Sequence, residues 1–166
     1  MTAEEKDSLY IASTYSRFPL RLVRGEGRTV YDAEGKSYLD LASGIGVNIF
    51  GYGDAEWTAA VTAQLDTLQH ASNLYYTEPC VSLAEALCER SGMEKVFFCN
   101  SGAEANECAI KAARKWGEEH KSPEHFNIVT LKGGFHGRTL AALAATGQEE
   151  YHKDFLPLTP GFLTAD

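Results

Sequence analysis

Across residues 29–41 apolar and polar positions alternate about Ala33-Glu34-Gly35-Lys36, which predicts a hairpin of Val30-Tyr31 against Ser37-Tyr38-Leu39. Gly44, Gly46, Gly51 and Gly53 then punctuate a loop. Asp54 is placed to cap an amphipathic helix running through Trp57, Val61 and Leu65 to about Gln69. A second helix is expected after Pro79, turning Val81, Leu83, Leu87 and Cys88 inward. The apolar run Lys95-Val96-Phe97-Phe98-Cys99 reads as a buried strand, ending where Ser101-Gly102 opens a long helix from about Ala103 to His120. The unit then repeats: residues 126–131 are strand-like, Gly133-Gly134 breaks the run, and residues 139–145 favour helix. Strands alternating with helices imply an α/β fold with a mostly parallel sheet flanked by helices. Residues 156–162 read as loop, and no further element is expected before Asp166 to close the sheet. The sheet is therefore expected to be incomplete, as in the first part of a longer protein.

Composition narrows the function classes. A chain of 166 residues with 44% hydrophobic content can bury a core. Its net charge of −8 leaves no basic surplus for a nucleic acid backbone. No apolar run approaches the roughly 20 residues that span a bilayer, and the polar start lacks the pattern of a signal peptide, so neither membrane nor nucleic acid is an expected partner and the cytoplasm is the expected compartment. Cys80, Cys88, Cys99 and Cys108 form no CxxC pair and have no histidine at zinc spacing; reduced, packed thiols and no metal site are expected.

Two loops carry the candidate chemistry. In Asn100-Ser101-Gly102-Ala103-Glu104 a strand meets a helix, whose unpaired N–H groups and positive end suit an anion such as phosphate. Gly102 has no side chain to obstruct it. The same letters also spell a capping box, Ser101 bonding the amide of Glu104 and Glu104 reaching back to Ser101, which would still leave the amides of Gly102 and Ala103 free. No Walker-type or dinucleotide-type glycine motif occurs. The second loop is Gly133-Gly134-Phe135-His136-Gly137-Arg138-Thr139. Loops at the carboxyl ends of strands in an open α/β sheet face a common crevice. There Phe135 offers a flat face to an aromatic ring and Arg138 a planar fork to a carboxylate. The plainer alternatives are that Phe135 plugs the core, Arg138 is a solvated charge and His136 is a hydrogen-bonding structural residue.

Taken as a set, residues 97–107, then Ala109-Ile110-Lys111-Ala112-Ala113-Arg114, then residues 135–139 resemble the class III pyridoxal-phosphate-dependent aminotransferases, most closely those acting on acetylornithine. The resemblance extends to Tyr31-Asp32 with Gly35, to residues 43–48 and to residues 72–77. It departs at Gly51-Tyr52-Gly53-Asp54, where relatives carry Gly-His and a proline opening the next helix.

The resemblance implies fold type I of the pyridoxal-phosphate transferases. Residues 1–52 would belong to the small domain and residues 53–166 would begin the large, cofactor-binding domain. It also implies a cofactor site of Ser101, Gly102, Ala103, Phe135 and His136, with Arg138 holding the substrate carboxylate. The implied enzyme is a homodimer with Gly44–Asn48 and Asn73–Tyr76 near the pocket, moving an amino group from N-acetylornithine to 2-oxoglutarate in arginine biosynthesis. Ornithine, succinylornithine or 4-aminobutyrate are alternative donors. The family's Schiff-base lysine, and the aspartate facing the pyridine nitrogen, belong to a later region, and none of the eight lysines here has that context. The 166-residue chain alone is thus expected to be inactive, and a non-catalytic phosphate-ligand-binding fragment is the competing reading.

Overall fold

In the computed structural model, which describes all 166 residues, contacts divide the chain into two compact units, Met1–Tyr76 and Thr77–Asp166. The first unit opens with a helix that no apolar periodicity announces, α1 (Ala3–Tyr10). Thr2 and Glu5 start it with a reciprocal capping box. The alternating stretch then forms the hairpin it predicts, extended by one strand to the meander β1 (Leu22–Glu26), β2 (Thr29–Asp32), β3 (Ser37–Leu39). Val30 faces Tyr38 and Tyr31 faces Ser37 in antiparallel register. Asp32 closes the turn with its side chain, accepting the N–H groups of Glu34 (3.0 Å) and Lys36 (2.8 Å) and the hydroxyl of Tyr38 (2.8 Å). Foremost the Tyr38 hydroxyl, and then the two amides, hold this carboxyl below its ordinary range against the opposing effect of burial.

A short turn, α2 (Ser43–Gly46), follows, and its backbone is wound left-handed: φ is positive at Ser43, Gly44, Ile45 and Gly46. The helix α3 (Ala55–Thr67) starts as expected at Asp54, whose side chain accepts the Trp57 N–H at 2.7 Å.

The second unit contains α4 (Glu78–Ser91), α5 (Gly102–His120), β4 (Ile128–Leu131), α6 (Leu140–Ala145) and β5 (Phe162–Ala165). Strands β4 and β5 pair in parallel, Ile128 with Phe162 through Leu131 with Ala165, and α6 lies between them in sequence and packs on both strands and on α5. The result is a β-α-β unit with its core at α6, where Ala142, Leu143, Ala144 and Ala145 are buried along with Ile110 of α5. Arg114 ties α5 to the sheet, donating to the carbonyls of Phe126 (3.1 Å) and Pro160 (2.8 Å). No helix is long and apolar enough to cross a membrane.

The structure departs from the sequence-based expectation at three elements and at the cysteines, of which Cys80 and Cys99 are exposed and Cys88 and Cys108 half-buried rather than packed. Residues 95–99 form no strand, and Phe97 is 63% exposed, because no strand of this chain lies alongside to take their backbone hydrogen bonds. Helix α4 exists, but Val81, Leu83 and Leu87 are exposed and Cys88 is half-buried, since no element packs closely on that helix. Finally, the chain does add an element after the loop at 156–161: Gly161, at φ +88°, leads into β5. Its four residues, Phe162-Leu163-Thr164-Ala165, are too short for periodicity to reveal them.

Candidate functional site

The start of α5 is shaped by its side chains. Ser101, in extended conformation, accepts the N–H of Glu104 at 3.2 Å as the capping box requires. Glu104 reaches one residue further back than that box predicts: its carboxylate takes the backbone N–H of Asn100 at 2.8 Å and the Asn100 side-chain amide at 3.1 Å. Two donors on Asn100 outcompete the one on Ser101. The amides of Ser101, Gly102 and Ala103 thus all remain without a partner inside the chain. At Gly102 a β-carbon would meet nothing within 4 Å, so an anion has room to approach these donors.

The loop at 133–139 is fixed from several sides. Its first residues are tied to Gly147, just beyond α6, by the Gly133 N–H to the Gly147 carbonyl (2.8 Å) and the Gly147 N–H to the Gly134 carbonyl (2.9 Å). Within it, the His136 N–H donates to Oγ1 of buried Thr146 (3.0 Å), and the His136 carbonyl accepts from Nδ2 of Asn106 (2.7 Å). The hydrogen bonds of His136 to its surroundings are thus made by its main chain. Glu107 accepts the hydroxyl of Thr139 and, at 3.3 Å, the N–H of Ala142.

Phe135 is 49% exposed, so it does not plug the core; its ring meets the edge of Tyr151 at 5.5 Å between centroids. The guanidinium of Arg138 lies 5.8 Å from the centre of the same ring, which places the aromatic face and the planar cation side by side. Gly137 brings this loop against α5. Its φ is +127°, and a β-carbon there would lie 2.7 Å from that of Ala103 and 3.1 Å from that of Ala142. The two loops singled out in the sequence therefore touch, with Ala103 of the amide cradle against the residue between His136 and Arg138.

Sequence reasoning missed Asn106, Glu107 and Thr146, the side chains that hold this arrangement. A signal for Glu107 was present: it follows Glu104 by three residues, so it shares the face of the helix that begins at the cradle.

A cleft of about 720 Å³ lies in the first unit among Glu26, Arg28, Asp40, Asn48 and Tyr52. Its central carboxylate is already committed, since Asp40 accepts the Ala42 and Ser43 amides and the Tyr52 hydroxyl at 2.9–3.0 Å. These bonds, the Ser43 amide first, hold its carboxyl below the ordinary range. The amides of Ser101, Gly102 and Ala103, by contrast, have no acceptor within the chain.

Residues 10–166 match the family described as aminotransferase class-III. The chain belongs to that family. It is 51% identical to the acetylornithine aminotransferase of Haemophilus ducreyi over 96% of this chain and 40% of that protein. It is 49% identical to the acetylornithine aminotransferase of Caldanaerobacter subterraneus subsp. tengcongensis, over 98% of this chain and 40% of that protein. Among solved structures it superposes on the ornithine aminotransferase of Toxoplasma gondii with a TM-score of 0.91 at 28% identity, over 100% of this chain and 41% of that one. An omega transaminase of Pseudomonas jessenii in complex with PMP gives a TM-score of 0.90 at 31% identity, over 99% of this chain and 39% of that one. The chain thus spans about two fifths of the length of these relatives. Its fold is that part of the α/β fold of the pyridoxal-phosphate-dependent transaminases, and class III aminotransferases use pyridoxal phosphate.

Proposed function

We propose that this chain contributes the phosphate cradle, ring platform and carboxylate fork of an aminotransferase that moves an amino group from N-acetylornithine to 2-oxoglutarate. The observation that carries the reading is the contact of Gly137 with Ala103, which sets unclaimed amides beside an exposed aromatic ring and an arginine. Identity near 50% to acetylornithine aminotransferases supports the choice of donor and a place in arginine biosynthesis. In this reading residues 1–52 belong to the small domain and residues 53–166 begin the large one, two copies of the full protein form the functional dimer, and the cytoplasm is the compartment.

When bound, pyridoxal phosphate supplies the electron sink that loosens bonds at the amino-bearing carbon. The protein does the rest. The N–H groups of Ser101, Gly102 and Ala103 hold the phosphate at the positive end of α5, a helix of 19 residues. Phe135 would back the cofactor ring, its neighbour His136 being anchored through its main chain to Asn106 and Thr146, and Arg138 would bind the substrate carboxylate through two parallel N–H donors. In this reading the lysine that bonds the cofactor belongs to the portion of the family's length that this chain does not span. The isolated 166 residues are accordingly expected to be inactive.

The test is Arg138→Lys in the complete enzyme. Losing the fork while keeping the charge costs roughly 1.5–3 kcal/mol, so kcat/KM for both the amino donor and 2-oxoglutarate falls about ten- to a hundredfold, with the cofactor spectrum unchanged. Intact half-reactions in this variant would remove Arg138 from the site. Kinetics with N-acetylornithine, ornithine, succinylornithine and 4-aminobutyrate test the donor, and a preference for 4-aminobutyrate would overturn the assignment.

A further inference from the structure

We propose that Glu107 is the positioning residue for Arg138. From the second turn of α5 it fixes the far end of the 135–139 loop relative to the phosphate cradle at the first turn. The proposal rests on the aminotransferase reading and deepens it.

The half-buried Glu107 uses one carboxylate oxygen, Oε1, for two donors: the hydroxyl of Thr139 and the N–H of Ala142. Thr139 is the residue next to Arg138, so anchoring it fixes a Cα about 3.8 Å from that of Arg138. Thr139 occupies the N-cap position of α6, yet its side chain makes no cap bond to that helix. The hydroxyl that would normally serve α6 is turned to Glu107, and the carboxylate serves the α6 amide in its place. The start of α6 is thereby tied to α5 rather than closed on itself.

Asn106, one residue earlier, does the same at the other end of the loop by donating to the carbonyl of His136, the neighbour of Phe135. Consecutive residues of one helix therefore hold the positions that follow Phe135 and Arg138. Both anchors rise from the helix whose first amides form the cradle, so phosphate, ring and carboxylate contacts share one rigid reference. A cap that only stabilised α6 would need no partner on α5.

The experiment uses the complete enzyme, with and without cofactor, as wild type and as Glu107→Ala, Glu107→Gln and Thr139→Val. In Glu107→Ala, KM for the amino donor and for 2-oxoglutarate rises roughly tenfold with kcat and the cofactor spectrum little changed, the signature of weakened carboxylate binding in ground and transition states alike. Glu107→Gln, whose amide oxygen accepts the same two bonds, restores KM, and Thr139→Val reproduces the defect. In the cofactor-free protein, amide exchange across 136–140 quickens in Glu107→Ala and Thr139→Val while the rest of α5 keeps its protection.

The proposal is overturned by wild-type KM values in both Glu107→Ala and Thr139→Val, by a Gln variant as impaired as Ala, or by unchanged exchange across 136–140. Should Glu107→Ala fail to fold, Thr139→Val decides. If the wild-type enzyme does not transaminate at all, the functional reading falls, and the exchange measurement still decides whether Glu107 positions the loop.

Discussion

The two glycine-rich loops of this chain, 43–46 in the first unit and 133–139 in the second, are built on opposite principles. The second is held by side chains from outside itself: Asn106, Glu107 and Thr146 each bond its backbone or its threonine, and Gly137 sits in contact with Ala103. The first is held mainly by its own main chain, through the Gly46 N–H to the Ala42 carbonyl and the Val47 and Asn48 N–H groups to Ser43, with Asp40 adding bonds to the Ala42 and Ser43 amides at its start. It also carries Ile45 at φ +64°, with 96% of its surface exposed. A β-branched residue in left-handed conformation is strained, and strain persists where it is over-determined or serves a site. One loop has its geometry fixed by packing already present in the chain. The other stores strain with little side-chain support.

The sharpest way to break this comparison is to disturb the contact that fixes the second loop. Gly137→Ala combines an unfavourable backbone conformation with a β-carbon only 2.7 Å from that of Ala103, and neither neighbour is the end of a flexible chain. The expected loss is on the order of 3 kcal/mol of stability, together with weaker cofactor binding, as α5 and the loop are pushed apart. Urea unfolding and cofactor titration of the complete enzyme measure both. A variant with wild-type stability and cofactor affinity would mean the loop tolerates displacement and is not fixed by packing.

How much of this was legible beforehand follows the range of the interactions. Asp54 capping α3, Ser101 capping α5 and the β2–β3 hairpin are local, set by residues three to ten apart, and the sequence displays them. The cradle and the Phe135–Arg138 loop were legible as residue types, because anions and rings demand particular chemistry. What could not be read is the long-range bonding: Asn106 to His136 spans 30 residues and Glu107 to Thr139 spans 32, and no periodicity encodes such pairs. The expected strand at 95–99 failed for a related reason. Its apolar run is real, but a strand is defined by a neighbour, and β4 and β5 pair with each other instead.

A smaller effect sharpens the comparison from the other side. Ile45→Gly removes the side chain that left-handed backbone disfavours, and with Ile45 almost fully exposed it forfeits little burial. Relief of strain offsets the greater freedom glycine gives the unfolded chain, for a net gain of on the order of 1 kcal/mol. Thermal unfolding of the complete enzyme checks this, alongside KM for both substrates. Added stability with impaired kinetics would identify the strain as functional; a destabilised variant would show that Ile45 is held by contacts outside this chain, and the contrast between the loops would lose its basis.

The smallest expected effect concerns pH, and it tests whether the side-chain anchoring seen in the second unit also operates in the first, at the β2–β3 turn. The Tyr38 hydroxyl is the largest cause of the lowered carboxyl of Asp32, and the same bond raises the phenol of Tyr38 above its ordinary 10.0. A carboxyl lowered on folding adds stability that is fully present above its unfolded value, near 3.8, and is lost as pH falls through the lower folded one. A phenol raised on folding adds stability present below 10.0 and lost as pH climbs through the raised value. The difference in stability between wild type and Tyr38→Phe should therefore be a plateau through neutral pH that closes at both ends. Urea midpoints of both proteins from about pH 3 to about pH 10.5 trace it. A difference that stays flat across the acid limb would mean that Asp32 keeps its lowered carboxyl through the Glu34 and Lys36 amides alone, leaving Tyr38 as packing at the turn.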